Sequence, residues 1–213
     1  MKLKIPYWYY TKAFSDEECD KIIESGLRQI EATQEASKAK VQSDGSKDGK
    51  VDIPIRDCQI TWLDDTWLYQ RIENMIINAN EEAGWGWTIQ SMEKLQFVRY
   101  NLNEHYSWHV DGSSDIFDVY ADPNNLNYFG KIRKISVSVN LSDPNDYDGG
   151  ELLFVENTVK DGVSLDDMIY SPQEFKGKGS SVVFPSFAHH KVTPVTRGTR
   201  YSLVAWILGP PWK

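Results

Sequence analysis

Cysteine is nearly missing from this chain of 213 residues: only Cys19 and Cys58 occur. Two thiols without metal-ligand spacing exclude a disulfide framework and suit a reducing compartment. No run of Lys and Arg is interleaved with aromatics, and the formal net charge is -8, so the electrostatic footprint of a nucleic-acid binder is lacking. No stretch approaches the roughly 20 apolar residues that a membrane helix needs, and Met1 to Tyr10 has no apolar signal-like core. Internal repeats are absent too. These gaps predict a cytoplasmic protein that works away from membranes and nucleic acid, with its oligomeric state left open.

What is present supports a packed core. Hydrophobic residues make up 40% of the chain and aromatic ones 13%, with 8 Trp and 11 Tyr, which excludes disordered and collagen-like classes. At this length one domain over 1–213 is expected. Ser15-Asp16-Glu17-Glu18 has the pattern of a capping box, and Ile22, Ile23, Leu27 and Ile30 keep helical spacing, so a helix is predicted from Asp16 to Ala32. Thr33 to Lys50 has almost no apolar side chain and reads as a loop, either a plain surface excursion or a flap over a site. Asp57 to Leu63 reads as a strand. Thr66 to Ala83 reads as a second helix, closed by Gly84.

Beyond that point the pattern changes to strands. They are predicted at Lys94–Leu102, Tyr106–Asp111, Ile132–Leu141, Glu151–Val155, Ser180–Phe184, His190–Val195 and Arg200–Leu208. Two long insertions, Gly112 to Lys131 and Glu156 to Lys178, separate them. Helices first and strands later imply an α+β chain that is mainly β, with a helical lead over 1–90 and a β-sandwich or barrel over 91–213.

Tyr106-Ser107-Trp108-His109-Val110-Asp111 carries the chemistry. Side chains alternate faces along a strand, so His109 and Asp111 leave on one side as a pair of metal ligands, while Trp108 faces away. A third ligand is available downstream at His189-His190, of which strand alternation lets only one reach the metal. Two His and one carboxylate on one face is the arrangement of non-haem Fe(II) oxygen chemistry. Thr196-Arg197-Gly198-Thr199 looks like a hairpin turn, which predicts that the distal His strand pairs antiparallel with the Arg200 strand. His105, in a polar turn, reads as solvated, and Trp206, Trp62 and Trp67 read as core.

Several motifs in order make a family resemblance specific. They are Arg99-Tyr100, the His109/Asp111 stretch, Leu141-Ser142-Asp143-Pro144 with Tyr147-Asp148-Gly149-Gly150-Glu151-Leu152, Phe184-Pro185-Ser186, His190-Lys191-Val192-Thr193-Pro194-Val195, and Arg200 ten residues after His190. From about Leu95 to Trp206 the chain resembles the Fe(II)/2-oxoglutarate-dependent dioxygenases, in the prolyl-4-hydroxylase-like branch that includes the PKHD-type hydroxylases.

The resemblance implies a double-stranded β-helix (jelly roll, cupin-like) with N-terminal supporting helices. It implies Fe(II) held by His109, Asp111 and His190, whose spacing selects His190 over His189. It also implies 2-oxoglutarate as cosubstrate, gripped by Arg200, with Tyr100, Ser202 and Asn140 as further contacts. O2 would be the oxidant and ascorbate a possible reductant. The reaction implied is hydroxylation of an unactivated C–H bond, of the prolyl 4-hydroxylase type, on a peptide or protein substrate. A free amino acid or other small molecule is the alternative substrate. The residues alone also leave open a metal-dependent hydrolase, or a jelly-roll binding module without catalysis.

Overall fold

Ser15 and Glu18 cap each other as the sequence predicts: the Ser15 amide donates to Glu18 Oε2 at 2.8 Å, and the Glu18 amide donates to Ser15 Oγ at 3.2 Å. This start fixes α1 (Asp16–Ala32) in a computed structural model that describes residues 3–32, 37–38, 55–112, 119–156, 164 and 166–212. A short strand, β1 (Trp8–Tyr10), precedes it. After it come β2 (Ser37–Lys38), β3 (Arg56–Asp57), β4 (Gln59–Leu63) and α2 (Thr66–Glu82), which ends at Gly84 with φ +67. Apart from the backbone of Ser37–Lys38, the loop expected at 33–50 lies outside the described residues, as do 113–118 and 157–163 of the two insertions.

The strand-rich half follows in order: β5 (Ser91–Met92), β6 (Leu95–Tyr100), β7 (His105–His109), β8 (Ile132–Asn140), β9 (Asp148–Gly149), β10 (Leu152–Val155), β11 (Ile169–Tyr170), β12 (Ser181–Pro185), β13 (His190–Val192), β14 (Val195–Arg197) and β15 (Arg200–Gly209). They form a mainly β, jelly-roll architecture with the two helices in support. The larger sheet runs β1-β12-β8-β15-β6-β4-β2, with β5 added on β15. The smaller runs β11-β10-β13-β7-β3.

Period-two alternation gives the larger sheet two apolar faces. Phe97, Val137, Val183 and Leu203 point outward and pack with Ile22, Ile72 and Ile76 of the helices. Their neighbours Val98, Val182 and Phe184 point inward and meet Leu152, Phe154 and Val192 of the smaller sheet. The helices therefore cover the outside of the larger sheet, and the space between the sheets is left for the site.

The structure corrects three sequence-based expectations. The Arg200 strand does not pair with the His190 strand: β13 pairs with β10 and β7, whereas β15 pairs with β6 and β8. The chain does turn at Gly198, φ +70, but it crosses from one sheet to the other instead of closing a hairpin. The strand expected over His190–Val195 is broken at Thr193-Pro194, whose proline has no N–H for the ladder, and the remainder becomes β14, paired with β9. The insertion Glu156 to Lys178 contributes β11 to the smaller sheet, so it is not plain loop.

Gly26 shows how closely the outer layer packs. A Cβ there would clash with the Phe97 ring. Ala gains about 1 kcal/mol over Gly in helix propensity, while overpacking costs about 1–3 kcal/mol, so the second effect should win. Gly26→Ala is expected to lower the urea midpoint, and Phe97→Leu in the same chain to restore part of the loss.

Candidate metal centre

β7 and β13 lie side by side in the smaller sheet with His109 directly opposite His190. Their ring centroids are 4.1 Å apart. Asp111 lies just past the end of β7, so the strand ends two residues earlier than its sequence suggested. The turn is fixed because the Asp111 and Gly112 amides both donate to the Ser186 carbonyl at 2.9 Å. The carboxylate then sits between the rings, with Oδ1 3.7 Å from His109 Nε2 and Oδ2 3.6 Å from His190 Nε2. All three ligand atoms fall within 4.8 Å of one another.

Each imidazole is oriented by its own chain. His109 Nδ1 meets the Ser107 carbonyl at 2.8 Å, and His190 Nδ1 meets the Ala188 carbonyl at 2.9 Å. A carbonyl can only accept, so the proton sits on Nδ1 in both rings and the Nε2 lone pairs converge beside Asp111. Burial, reinforced by His190, pushes the His109 pKa down to about 3 and keeps that ring neutral. Burial would raise Asp111, but His190, His109 and Arg133, with a hydrogen bond from Ser136, outweigh it and bring its pKa to about 2. Neutral imidazole and ionised carboxylate are the forms a metal ion binds. Donors about 2.1 Å from a metal and at right angles stand about 3 Å apart, so the trio would hold a divalent ion once its donors draw together.

The cavity over these ligands is walled on its far side by the larger sheet. Arg200, Ser202, Val204 and Trp206 of β15 share one face of that strand and all line it, as do Tyr100 and Gln96 of β6. Arg200 is 2% exposed, and among the described residues no carboxylate lies within ion-pair distance of it. Tyr100 is buried beneath it, 5.7 Å from ring centroid to guanidinium, and burial keeps it a phenol. Of the seven site residues named from the sequence, six line this cavity. Asn140 does not: its amide donates to the carbonyls of Ser142, Lys176 and Gly177, tying the end of β8 to the segment that leads into β12. His189 is exposed and turned away, as alternation requires.

Three wall residues escaped sequence reasoning. Trp206, read as core, faces the cavity with its indole N–H buried and unpartnered, and the Arg133 guanidinium lies 4.0 Å over its ring. Counting by two from Arg200 would have found it. Tyr106 stacks on His109 with centroids 3.5 Å apart. A bulge against β13, where Lys191 alone stands opposite Ser107 and Trp108 of β7, puts positions 106 and 109 on one side against simple alternation. Arg56 enters from β3, and nothing in its local sequence marks it.

The comparisons with known proteins agree with this geometry. The family model of the 2OG-Fe(II) oxygenase superfamily matches residues 95–208. The chain belongs to that superfamily. The PKHD-type hydroxylase YbiX of Escherichia coli K12/DH10B is 34% identical over 144 residues, which is 66% of this chain and 55% of that protein. The chain thus spans about half the length of the curated relatives it matches. Among solved structures, a Pseudomonas putida prolyl-4-hydroxylase superposes with a TM-score of 0.66 at 21% identity, covering 96% of this chain and 93% of that one. A Trichoplax adhaerens prolyl hydroxylase, in complex with a peptide fragment of a hypoxia-inducible factor degradation domain, gives 0.64 at 17%, covering 96% and 84%. At such identities these two likenesses speak for the shared oxygenase fold.

His109→Ala or His190→Ala is expected to weaken Mn(II) binding at least about 100-fold, since loss of a direct ligand should exceed the 10–100-fold cost of losing a supporting contact. His189→Ala should leave it within about twofold. Titration of the purified protein followed by electron paramagnetic resonance reads both.

Proposed function

We propose that this chain is an Fe(II)- and 2-oxoglutarate-dependent dioxygenase that hydroxylates an unactivated C–H bond, with a prolyl residue of a peptide or protein as the substrate. The observation that carries the reading is one cavity with the His109, Asp111 and His190 donors on one wall and the unpaired, buried Arg200 on the other. Hydrolysis at a metal does not by itself call for a buried guanidinium facing it. A dianionic cosubstrate does, because a buried cation is strongly disfavoured without an anion and a planar guanidinium binds a carboxylate bidentately.

When bound, Fe(II) with 2-oxoglutarate and O2 would supply the oxidising power for C–H cleavage. The chain's own residues hold and orient. His109, Asp111 and His190 would hold the metal through Nε2, a carboxylate oxygen and Nε2. Arg200 would take the distal carboxylate of 2-oxoglutarate, with the Ser202 hydroxyl on the same strand face and the Tyr100 phenol beside it as neutral donors. Val204, Leu152 and Phe184 exclude water. The prolyl assignment draws on the relatives: the Pseudomonas and Trichoplax proteins are named prolyl hydroxylases, and the latter was captured with a peptide. We extend the reading to one domain over 1–213, placed in the cytoplasm in keeping with two buried, unpaired thiols. Ascorbate would be the reductant that keeps the iron ferrous.

Purified protein with Fe(II), O2 and ascorbate should convert 2-oxoglutarate to succinate, faster with proline-rich peptides, and His109→Ala and Arg200→Ala should abolish the turnover. Stimulation by free amino acids in place of peptides would move the substrate to a small molecule. Absence of both turnover and 2-oxoglutarate binding would overturn the reading. Gly150 gives an independent check. At φ +59, a Cβ there would stand 2.8 Å from Arg200 Cδ and 3.1 Å from Val195 Cγ2. Gly150→Ala should therefore displace the guanidinium and weaken 2-oxoglutarate binding about tenfold or more, by calorimetry, with Mn(II) affinity kept.

A further inference from the structure

We propose that Arg56 binds a carboxylate of the substrate inside the metal cavity, so that the substrate carries a free carboxylate close to the reacting carbon. The inference rests on the oxygenase reading and adds to it.

Arg56 projects from β3, at the edge of the smaller sheet, into the same cavity as the three ligands, and it is 8% exposed. Its neighbours are neutral. Nη2 donates to Gln96 Oε1 at 2.7 Å, and the guanidinium lies 4.5 Å over the Tyr106 ring, which in turn stacks on His109. Burial pushes the Cys58 thiol up, so this contact of Arg56 stays protonated, and it pushes Tyr106 up to about 12. Nε is buried with no hydrogen-bond partner, and among the described residues no carboxylate stands in ion-pair range. Arg133, a third guanidinium near the site, shows the contrast: Glu93 answers it at 2.6 and 2.7 Å.

The charge balance of the loaded site points the same way. A divalent metal, ionised Asp111, Arg200 and dianionic 2-oxoglutarate cancel one another. Arg56 then stands as one buried positive charge over, and among the described residues no group compensates it, nor does the cosubstrate. The remaining occupant is the substrate. A carboxylate on it would meet a fork already oriented by Gln96 and by stacking on Tyr106, with the unpartnered Nε–H available as a donor. That carboxylate would come either from an acidic side chain beside the reacting residue of a peptide or from a free amino acid.

The test uses protein loaded with Mn(II) and 2-oxoglutarate without oxygen, so that binding is read in place of turnover. Two probe pairs differ only in charge: L-proline against L-prolinamide, and an end-blocked proline-rich peptide with Glu beside the proline against the same peptide with Gln. In calorimetry, at least one carboxylate probe should bind about tenfold or more tightly than its amide, and the pair that shows it identifies the source. Arg56→Gln should erase the preference, and Arg56→Lys should keep part of it. No preference in either pair would overturn the proposal, as would a loss in Arg56→Gln that falls on 2-oxoglutarate instead.

A second readout needs no ligand. A guanidinium kept for substrate is a liability in the empty site, so Arg56→Met should raise the melting temperature of the metal-free protein by about 2 °C or more. A fall would make Arg56 a structural residue and overturn the proposal. If the wild type fails to bind 2-oxoglutarate, the oxygenase reading falls and this inference with it. If it binds 2-oxoglutarate but prefers neither carboxylate, this inference falls alone.

Discussion

Each imidazole of the metal centre is pinned by a carbonyl of its own chain two residues earlier, and the rest of the site depends on that constraint. With Ser107 and Ala188 fixing Nδ1–H, both Nε2 atoms are free to face Asp111, and neither ring can turn to offer its proton instead. The backbone that presents those carbonyls is held in turn by the sheet. β7 and β13 are neighbours, and the Ser186 carbonyl fixes the turn that carries Asp111. A ligand set assembled from residues about eighty positions apart is therefore rigid, because its orienting contacts are local and its juxtaposition is a strand pairing.

Opposite that rigid wall, the larger sheet supplies charge. Arg200 sits in a strand whose outer face packs on helices through Leu203 and whose inner face carries polar groups through Ser202. An unpaired guanidinium in such a place works against folding. Its retention is understandable if binding an anion offsets the cost, and Arg56 stands in the same position on the smaller sheet. The two cations face the metal ligands from different layers, so the cavity is electrostatically incomplete without its occupants. Local backbone choices serve the same end: at Gly150 the absence of a Cβ leaves room for the Arg200 side chain.

Much of this was legible before any coordinates. Both long helices follow from apolar spacing and the Ser15/Glu18 cap, and the major strands from β-branched alternation, because these signals are local. The His109/Asp111 pair follows from alternation, and the family resemblance carried His190 and Arg200. The misreadings have a common cause. The hairpin expected around Gly198 had the right turn residue, yet a turn does not say whether its two arms share a sheet. Asn140 lay on the right strand, and its amide donates to the nearby Ser142 carbonyl and to the Lys176 and Gly177 carbonyls, which are distant in sequence. Trp206 had the parity of Arg200, but a large aromatic reads as core whichever way it faces.

The sequence by itself determined the main element types, the candidate metal ligands and the family, since each rests on residue identity within local motifs. Only the tertiary structure decided which groups face one another across the cavity. It joined His109 to His190 through strand pairing, placed Arg200 on the opposite sheet, used a bulge to bring Tyr106 onto the His109 side, and left Arg56 without a counter-charge among the described residues. Those are relations between strands far apart along the chain, and sheet order and register, which no local pattern encodes, fix them.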